Sequence, residues 1–347
     1  MNITFLVGNG FDLGLGLHTS YCDFYKWYCS QDDASEYIQR FKKNIEDDLT
    51  NGSKFWSDFE IGLGEYSNSF SAETYNQYIA CIEDARRKLV EYLDDETKNF
   101  QLTNTSDEAI QSFREGVKNF YQELSRAEKA ELDHIFQEDI MHDCEIKFIS
   151  FNYTNVLDKC VSVLAQDPPL KTWNPGNGNR SFKVNPDVIH VHGQLEQYPI
   201  MGVNDKTQVK NQEVLKNNVD TAIIKPLCNQ ALGELWQETA LTQINNSRII
   251  CIFGLSLGPT DAIWWEKITL WLKDNQNRLL IIYWHTGEII DQINIYNRIQ
   301  KISEVQHKIL GFANLEETEI DGLSKRIHVI FNTEKVLRIN MNNKNTQ

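Results

Sequence analysis

Six short apolar runs, each followed by a loop and a helical pattern, constrain the fold of this chain most. They span residues 3–7, 146–151, 188–191, 248–253, 279–284 and 327–331. Several are continuous rather than alternating, as expected for parallel strands that are covered on both faces. Apolar spacing predicts intervening helices over residues 155–165, 232–245, 261–273 and 288–302. The alternation predicts an α/β fold, a doubly wound and mostly parallel Rossmann-like sheet.

A long interval between the first two runs has a helical pattern. No proline precedes Pro168, and a chain without proline suits long helices. Thr105 and Glu108 have the spacing of a capping box at a helix start. Apolar residues recur at helical spacing in two stripes. These stripes are Ile79, Ile82, Leu89 and Leu93, and Ile110, Phe113, Val117, Phe120 and Leu124.

These patterns predict how the chain is divided. Residues 32–143 form a helical insertion, and residues 1–31 and 144–335 form the α/β domain. Residues 336–347 form a C-terminal tail, and residues 171–186, rich in Asn, Gly and Pro, are predicted as a surface loop.

The charge balance limits the partners of the chain. There are 34 Lys and Arg against 49 Asp and Glu, which gives a net charge of −15. Non-specific binding to nucleic acid or to an anionic membrane needs a basic surface and is therefore disfavoured. The first apolar run is too short for a membrane span of about 20 residues, and no basic residue precedes Lys26. Seven cysteines without a C-x-x-C pair indicate free thiols in a cytoplasmic protein.

Ligands of open α/β sheets bind beyond the carboxyl ends of the strands, so the residues there are the first candidates. Gly8-Asn9-Gly10-Phe11-Asp12 follows the first strand, and Thr19 and Ser20 open a helix shortly after. Two glycines at this place allow close approach of the backbone to a phosphate, with amides that donate to it. A tight turn without a ligand is the alternative, because Leu13 breaks the G-x-G-x-x-G dinucleotide pattern.

The second strand ends in Asn152, Tyr153 and Thr154. Asn and Thr at a junction of strand and helix make good N-caps. The same side chains at a ligand-facing edge are suited to orient a water molecule and a sugar. The fourth strand ends in a turn with Gly254 and Ser256, where amides and a hydroxyl are suited to hold a phosphate or a ribose.

Two histidines mark the end of the third strand. His190 and His192 share one face by the period of two, so a metal pair is an alternative, but no third ligand is evident and no metal is expected. His192 lies at the end of the strand before Gly193, which suits a general base with a pKa near neutrality. His190 lies deeper and is predicted to be a hydrogen-bonded structural residue.

In this order the strand ends resemble the sirtuin-like family of NAD-consuming enzymes. The resemblance rests on Gly8 with Gly10, Asn152, His192-Gly193, and Gly254 with Ser256. The chain departs from that family in having Asn9 between the glycines, Thr154 in place of an Asp, no counterpart of an expected Arg, and no four-cysteine zinc module. These departures disfavour protein deacetylation and leave NAD binding or hydrolysis as the implied activity.

The chain is also identified as a member of the bacterial AbiH family of phage abortive-infection proteins. The resemblance lies in residues 8–13 and 16–21 near the start, and later in residues 56–60, 151–154 and 190–193. It covers most of the chain, and it implies a role in defence against phage.

Together the two resemblances imply hydrolysis of NAD, as substrate, to nicotinamide and ADP-ribose. Asn152 would hold the ribose or the attacking water, and His192 would act on a ribose hydroxyl or on that water. Asp12, and with less support Glu60, would supply the carboxylate that Thr154 does not; the alternative for Glu60 is a solvated helix position. The residues expected to bind the dinucleotide are Gly8, Asn9, Gly10, Phe11, Thr19, Ser20, Tyr153, Thr154, Gly193, Gly254 and Ser256.

Two other functions stay open at this point. One is a nucleotide-binding sensor without catalysis, triggered by a phage component or a partner protein. The other is a metal-dependent nuclease, against which the acidic charge and the poor ligand spacing count. A homo-oligomer is compatible with all three.

Overall fold

A sheet of seven strands forms the centre of the computed structural model, which describes residues 1–32, 35–50, 59–100, 108–138, 144–166, 170–172, 180–288, 290 and 293–339. The strands lie in the order β3-β4-β2-β1-β5-β6-β7. Only β3 is antiparallel to its neighbour, so the expected mostly parallel α/β sheet is confirmed. Their bounds are β1 Asn2–Val7, β2 Cys144–Ser150, β3 Leu170–Thr172, β4 Arg180–His190, β5 Ile249–Phe253, β6 Leu279–Trp284 and β7 Ile327–Phe331.

Fourteen α-helices lie in the part of the chain described above. The first seven are α1 Gly10–Gly14, α2 Tyr21–Ser30, α3 Glu36–Thr50, α4 Phe59–Tyr66, α5 Tyr75–Thr97, α6 Glu108–Lys118 and α7 Arg126–Glu138. The others are α8 Val156–Gln166, α9 Val219–Ile223, α10 Lys225–Leu232, α11 Trp236–Asn245, α12 Ala262–Asp274, α13 Ile295–Leu310 and α14 Glu317–Ser324.

The central strands are buried on both faces, which explains their continuous apolar sequences. In β1, Phe5 faces a core shared with α6, α7 and α8, whereas Leu6 faces a core shared with α11, α12 and α13. The same division holds in β5 for Cys251 and Ile252. Helices therefore cover both sides of the sheet, as in doubly wound folds.

The helical interval contributes to two cores. Phe113 and other residues of α6 and α7 pack in the core on one face of the sheet. Helices α2 to α5 form a separate core with residues 201–224, in which Ile82 is fully buried. Val336 is also fully buried, in the core with α6. The predicted division into domains stays a prediction.

Three expectations about local structure are corrected. The predicted loop over residues 171–186 is wrong in part, because Arg180–His190 forms β4. Pro186 fits there because the pairing with β2 shifts register between Val184 and Val188, and bulges tolerate proline. The helix expected over residues 288–302 begins later, at Ile295, where the side chain of Asn294 caps it. The helix expected over residues 232–245 is interrupted: α10 ends at Leu232, and α11 begins at Trp236.

Helices α8 and α12 begin within one residue of their predicted starts, and none of the seven cysteines, all of which are described, forms a disulfide. Thr105 of the predicted capping box and residues 56–58 of the family motif lie outside the described residues. Within the described ranges, no helix combines the length and the apolar character that a membrane span needs.

The order of the strands indicates where a ligand site is expected in this fold. From β1 the chain goes to β2 and β4 on one side of the sheet, and then to β5, β6 and β7 on the other side. The order therefore switches at β1, and a crevice is expected beyond the carboxyl ends of β1, β2 and β5.

Candidate functional site

A cavity of about 510 Å³ lies at this switch point. Loops after β1, β2, β4, β5 and β6 line it together with side chains of α4, α5 and α13. Its size is in the usual range for a small-molecule or nucleotide site, about 300 to 1,000 Å³. The residues predicted for the site that line the cavity are Asn9, Gly10, Thr19, Ser20, Asn152, Tyr153, Thr154, His192, Gly254 and Ser256.

Four predicted residues lie elsewhere. Phe11 is buried in the core, with its ring 6.0 Å from that of Phe113. Gly8 and Asp12 lie behind the cavity wall and are described below. Gly193 adopts a φ of +70° in a turn where a Cβ would lie 2.5 Å from the carbonyl oxygen of Tyr198, so its backbone has a structural reason to be glycine.

The glycines after β1 serve the approach of two loops. The amides of Gly8 and Gly10 donate to the carbonyl oxygens of Phe253 and Gly254, at 2.9 and 3.0 Å. A Cβ on Gly10 would lie 2.6 Å from the Cα of Gly254, which no side chain tolerates. Both amides therefore donate within the fold, and donation to a phosphate, the reason for which the sequence suggested them, is not available to them.

Asn9 and Thr19 fix the rim of the cavity. The side-chain nitrogen Nδ2 of Asn9 donates to the carbonyl oxygen of Thr19, and the Thr19 hydroxyl donates to Oδ1 of Asn9 at 2.6 Å. Ser20 caps α2 by accepting from the amide of Asp23. These bonds hold the segment between α1 and α2 against the cavity.

Asp12 orients Asn152. Its Oδ1 accepts from Nδ2 of Asn152 at 3.1 Å, and its Oδ2 accepts from the hydroxyl of Thr154 at 2.5 Å. Because a carboxylate only accepts, the amide of Asn152 is fixed with its nitrogen toward Asp12. The opposite atom, Oδ1 of Asn152, is buried and has no hydrogen-bond partner among the described residues. The side chain lines the cavity, so it offers an acceptor to a ligand.

Burial of Asp12 predicts a pH-dependent stability. Desolvation raises the pKa of this carboxyl to about 6, against lowering by its hydrogen bonds to Thr154 and Asn152. A raised acid pKa means that the folded state keeps a proton that the unfolded state loses. Stability from this group is therefore present at low pH and declines as the pH rises from about 4 to about 6, by about 3 kcal/mol in total.

The test compares wild type with Asp12→Asn by urea unfolding between pH 4 and pH 7.5. We expect the unfolding free energy of wild type, relative to the variant, to be lower at pH 7.5 than at pH 4 by about 2 to 3 kcal/mol. A difference between the two proteins that does not vary with pH would contradict the raised pKa.

His190 is a buried structural residue, as expected from the sequence. Its Nδ1 lies 2.9 Å from the carbonyl oxygen of Asn152, and its Nε2 lies 2.9 Å from Oδ2 of Asp158. The ring therefore lies between a backbone carbonyl oxygen and a carboxylate oxygen, both of which accept hydrogen bonds. His190 thereby fixes the backbone of the loop that carries Asn152.

His192 belongs to a chain of buried charged groups that the sequence did not predict. Its Nε2 lies 2.9 Å from Oδ1 of Asp261, without the alignment of a hydrogen bond. The same Oδ1 accepts from Nζ of Lys225 at 2.8 Å, and Lys225 also donates to Oε2 of Glu60 at 2.6 Å. His192 is 4% exposed and lines the cavity, and neither ring nitrogen has a hydrogen bond among the described residues.

Charge pairing determines the state of Asp261. Burial alone would raise its pKa, but Lys225 first and His192 second lower it well below the ordinary value. Burial likewise opposes the charge of Lys225, and the two carboxylates outweigh it, so its pKa is raised. With two carboxylates to one ammonium, the group has a net negative charge next to the ring of His192.

Glu60 is buried and lines the cavity, so the solvated helix position is wrong for this residue. Its Oε1 accepts from the hydroxyl of Tyr153 at 3.1 Å and from the amide of Gly202 at 3.4 Å. Glu60 thereby joins α4 to the loop after β2 and to the loop after β4. Helix α4 therefore supplies a carboxylate to the cavity beyond the carboxyl ends of the strands.

Basic and aromatic side chains lie at another part of the cavity lining. Nζ of Lys308, from α13, donates to the carbonyl oxygen of Ser256 at 2.8 Å and lies 5.0 Å from the centre of the Trp284 ring. His285 also lines the cavity there. None of these three side chains was predicted, because none follows a motif.

Among the described residues, no group of three His, Cys, Asp or Glu side chains has the arrangement of a metal site. His190 and His192 do not form the conceivable metal pair, because Asp158 and the backbone of Asn152 engage His190.

The fold and the cavity define an α/β protein with a cavity of small-molecule size at the switch point of a mostly parallel sheet. The family model for bacteriophage abortive infection AbiH matches residues 4–283. The chain belongs to this family of abortive-infection proteins. Among curated proteins, none matches the chain.

Proposed function

We propose that the protein acts in abortive infection by hydrolysing NAD to nicotinamide and ADP-ribose once it is triggered. The observation that carries the proposal is that Oδ1 of Asn152, which is buried and has no hydrogen-bond partner among the described residues, lines the same cavity as His192, whose ring nitrogens make no hydrogen bond there. Buried polar atoms without a partner are rare in folded proteins unless a ligand or water satisfies them. Here an acceptor of fixed orientation calls for a donor, which a ribose hydroxyl or a water molecule supplies.

Breaking the bond between nicotinamide and ribose develops positive charge on the sugar. The buried pair of carboxylates, Glu60 and Asp261, exceeds the charge of Lys225 by one, and this favours a cationic sugar in their vicinity. The geometry therefore supports the reaction through electrostatics as well as through hydrogen bonding.

The residues take the following roles in the proposal. Asp12 holds the amide of Asn152, whose Oδ1 accepts from a ribose hydroxyl or from water. As the bond from the sugar to nicotinamide breaks, nicotinamide leaves with the bonding electron pair. The oxygen of water forms the new bond to the same carbon, and His192 accepts the proton that water loses. Asp261, 2.9 Å from Nε2, stabilises the imidazolium that results.

The test incubates purified protein with NAD and follows nicotinamide and ADP-ribose by chromatography. Extract of phage-infected cells is added in parallel, because an enzyme that destroys NAD must be inactive in healthy cells. We expect release by wild type with extract, and none by Asn152→Ala with the same extract. Ser162→Ala, a change at an exposed residue of α8, is the matched control and should behave as wild type.

The proposed hydrolysis would be contradicted if wild type released no nicotinamide even with extract and if the NAD concentration in infected cells stayed unchanged. Binding of NAD without release under the same conditions would favour a sensor that binds a nucleotide without catalysis.

A further inference from the structure

The lining of the cavity is divided by charge. One part contains Glu60 and Asp261, which share the single ammonium of Lys225. Another part contains Lys308 and His285, on the side of Trp284 and Ser256. A ligand that fits this division has its anionic group near Lys308 and its other end near His192.

Lys308 has no acidic partner in the described part of the chain, since no carboxylate oxygen there lies within 4.0 Å of its Nζ. The side chain is exposed, and only partial desolvation acts on its pKa, which it lowers. Two other lysines of the same region, Lys301 and Lys273, do pair with carboxylates. The ammonium has three N–H groups, and one donates to Ser256, so two are available to an anion.

The turn after β5 adds backbone donors next to Lys308. Gly254 has a φ of +68° and Leu257 a φ of +52°, a left-handed conformation that is unfavourable for leucine. Leu255 and Ser256 lie between these two residues, and their backbone N–H groups make no hydrogen bond to another described residue. Both residues line the cavity. Successive free amides of this kind are a common way to bind an anion.

We propose that Lys308, together with the turn at Leu255 and Ser256, forms a subsite for the diphosphate of a nucleotide. The orientation of that nucleotide, with its glycosidic bond toward His192, rests on the proposed function; the binding of the anion does not. The sequence predicted phosphate binding at two turns, that of Gly8 and Gly10 and that of Gly254 and Ser256. The amides of Gly8 and Gly10 donate within the fold, which leaves the second turn, and Lys308 is an addition that the sequence did not predict.

The position of Lys308 in the last turn of α13 offers a structural reason for a lysine, because a cation near a helix C-terminus is favourable. The two roles differ in what they predict. A role in the helix alone leaves the affinity for phosphate-bearing ligands unchanged when the lysine is removed, whereas a subsite loses that affinity selectively.

The experiment measures equilibrium binding of ADP and of adenosine by calorimetry, without turnover. We expect wild type to bind ADP at least tenfold more tightly than adenosine, and its ADP affinity to fall as salt is added. Lys308→Met should weaken ADP about tenfold or more and leave adenosine within twofold, since a hydrogen bond to a charged group is lost. Lys308→Arg should retain most of the ADP affinity, and Lys267→Met, a change at an exposed lysine of α12, should retain all of it.

Equal affinity of wild type for ADP and adenosine, or no detectable binding of ADP, would overturn the subsite. Unchanged ADP affinity in Lys308→Met would do the same. Should Lys308→Met prove unstable, Lys308→Gln and the salt dependence of wild type decide the question. Binding of ADP that depends on Lys308, with no release of nicotinamide in the turnover assay, would support the subsite. That result would contradict only the proposed hydrolysis of NAD.

Discussion

Lys225→Met should lower the free energy of unfolding by about 3 to 5 kcal/mol, the range found when one partner of a buried ion pair is removed. The ammonium of Lys225 lies 2.6 Å from Glu60 and 2.8 Å from Asp261, and the lysine is 4% exposed. Without it, two carboxylates lie in the interior with no cation between them. Either they stay charged and repel, or one takes up a proton, and both outcomes cost stability. Urea unfolding at pH 7.5 measures the loss.

The matched control is Lys273→Met, because Lys273 pairs with Glu319 at the surface. Exposed pairs contribute about 0 to 1 kcal/mol, so this variant should unfold close to wild type. In the double variant Glu60→Gln with Lys225→Met, one of the two uncompensated charges is absent, and part of the stability should return. A loss of less than about 1 kcal/mol in Lys225→Met would show that the two carboxylates do not depend on this lysine.

His192→Asn should reduce the release of nicotinamide from NAD by about 10²- to 10⁴-fold, the usual contribution of a general acid or base. Asparagine has hydrogen-bonding groups of similar size but takes up no proton at neutral pH. His192 is buried against the rings of Phe151 and Tyr153, so a polar replacement of similar volume is preferred to alanine. Chromatography of the products under the triggered conditions measures the rate.

Binding separates the chemical step from a general loss of structure. We expect His192→Asn to bind ADP with an affinity within threefold of wild type, because the proposed phosphate subsite lies on the other part of the cavity lining. Turnover within twofold of wild type would remove His192 from the chemistry. Loss of ADP binding together with turnover would point to a structural role instead.

Much of the fold could be predicted from local sequence. The continuous apolar runs indicate strands because both faces of a parallel sheet are buried, and Ile82 and Phe113 of the two helical stripes are in fact fully buried. Helix starts depend on weaker signals, so α13 begins at Ile295 rather than near residue 288. The strand β4 includes Pro186, and a proline in this segment favours a loop on sequence alone. Only the pairing of β4 with β2 shows the bulge that accommodates it.

The candidate site was partly predictable for a related reason. Asn152 and His192 follow strands directly, and the rule that sites form at the carboxyl ends of strands selects them. Asp261, Lys225 and Glu60 do not follow such a rule. Glu60 is an acidic residue within a helix, a place where exposure to solvent is the usual outcome, and Lys225 precedes a proline in a segment without a motif.

By itself, the sequence determined the class of fold and the strand ends where a ligand would bind, because burial and turn formation are local properties of adjacent residues. The tertiary structure alone decided which partners these residues have. Lys225 and Glu60 are 165 positions apart, and Asp12 and Asn152 are 140 apart, so their contacts come only from the docking of distant elements. Docking also directed the amides of Gly8 and Gly10 into the fold and left Lys308 without a carboxylate in the described chain, because chain reversal and packing determine which donors and acceptors meet.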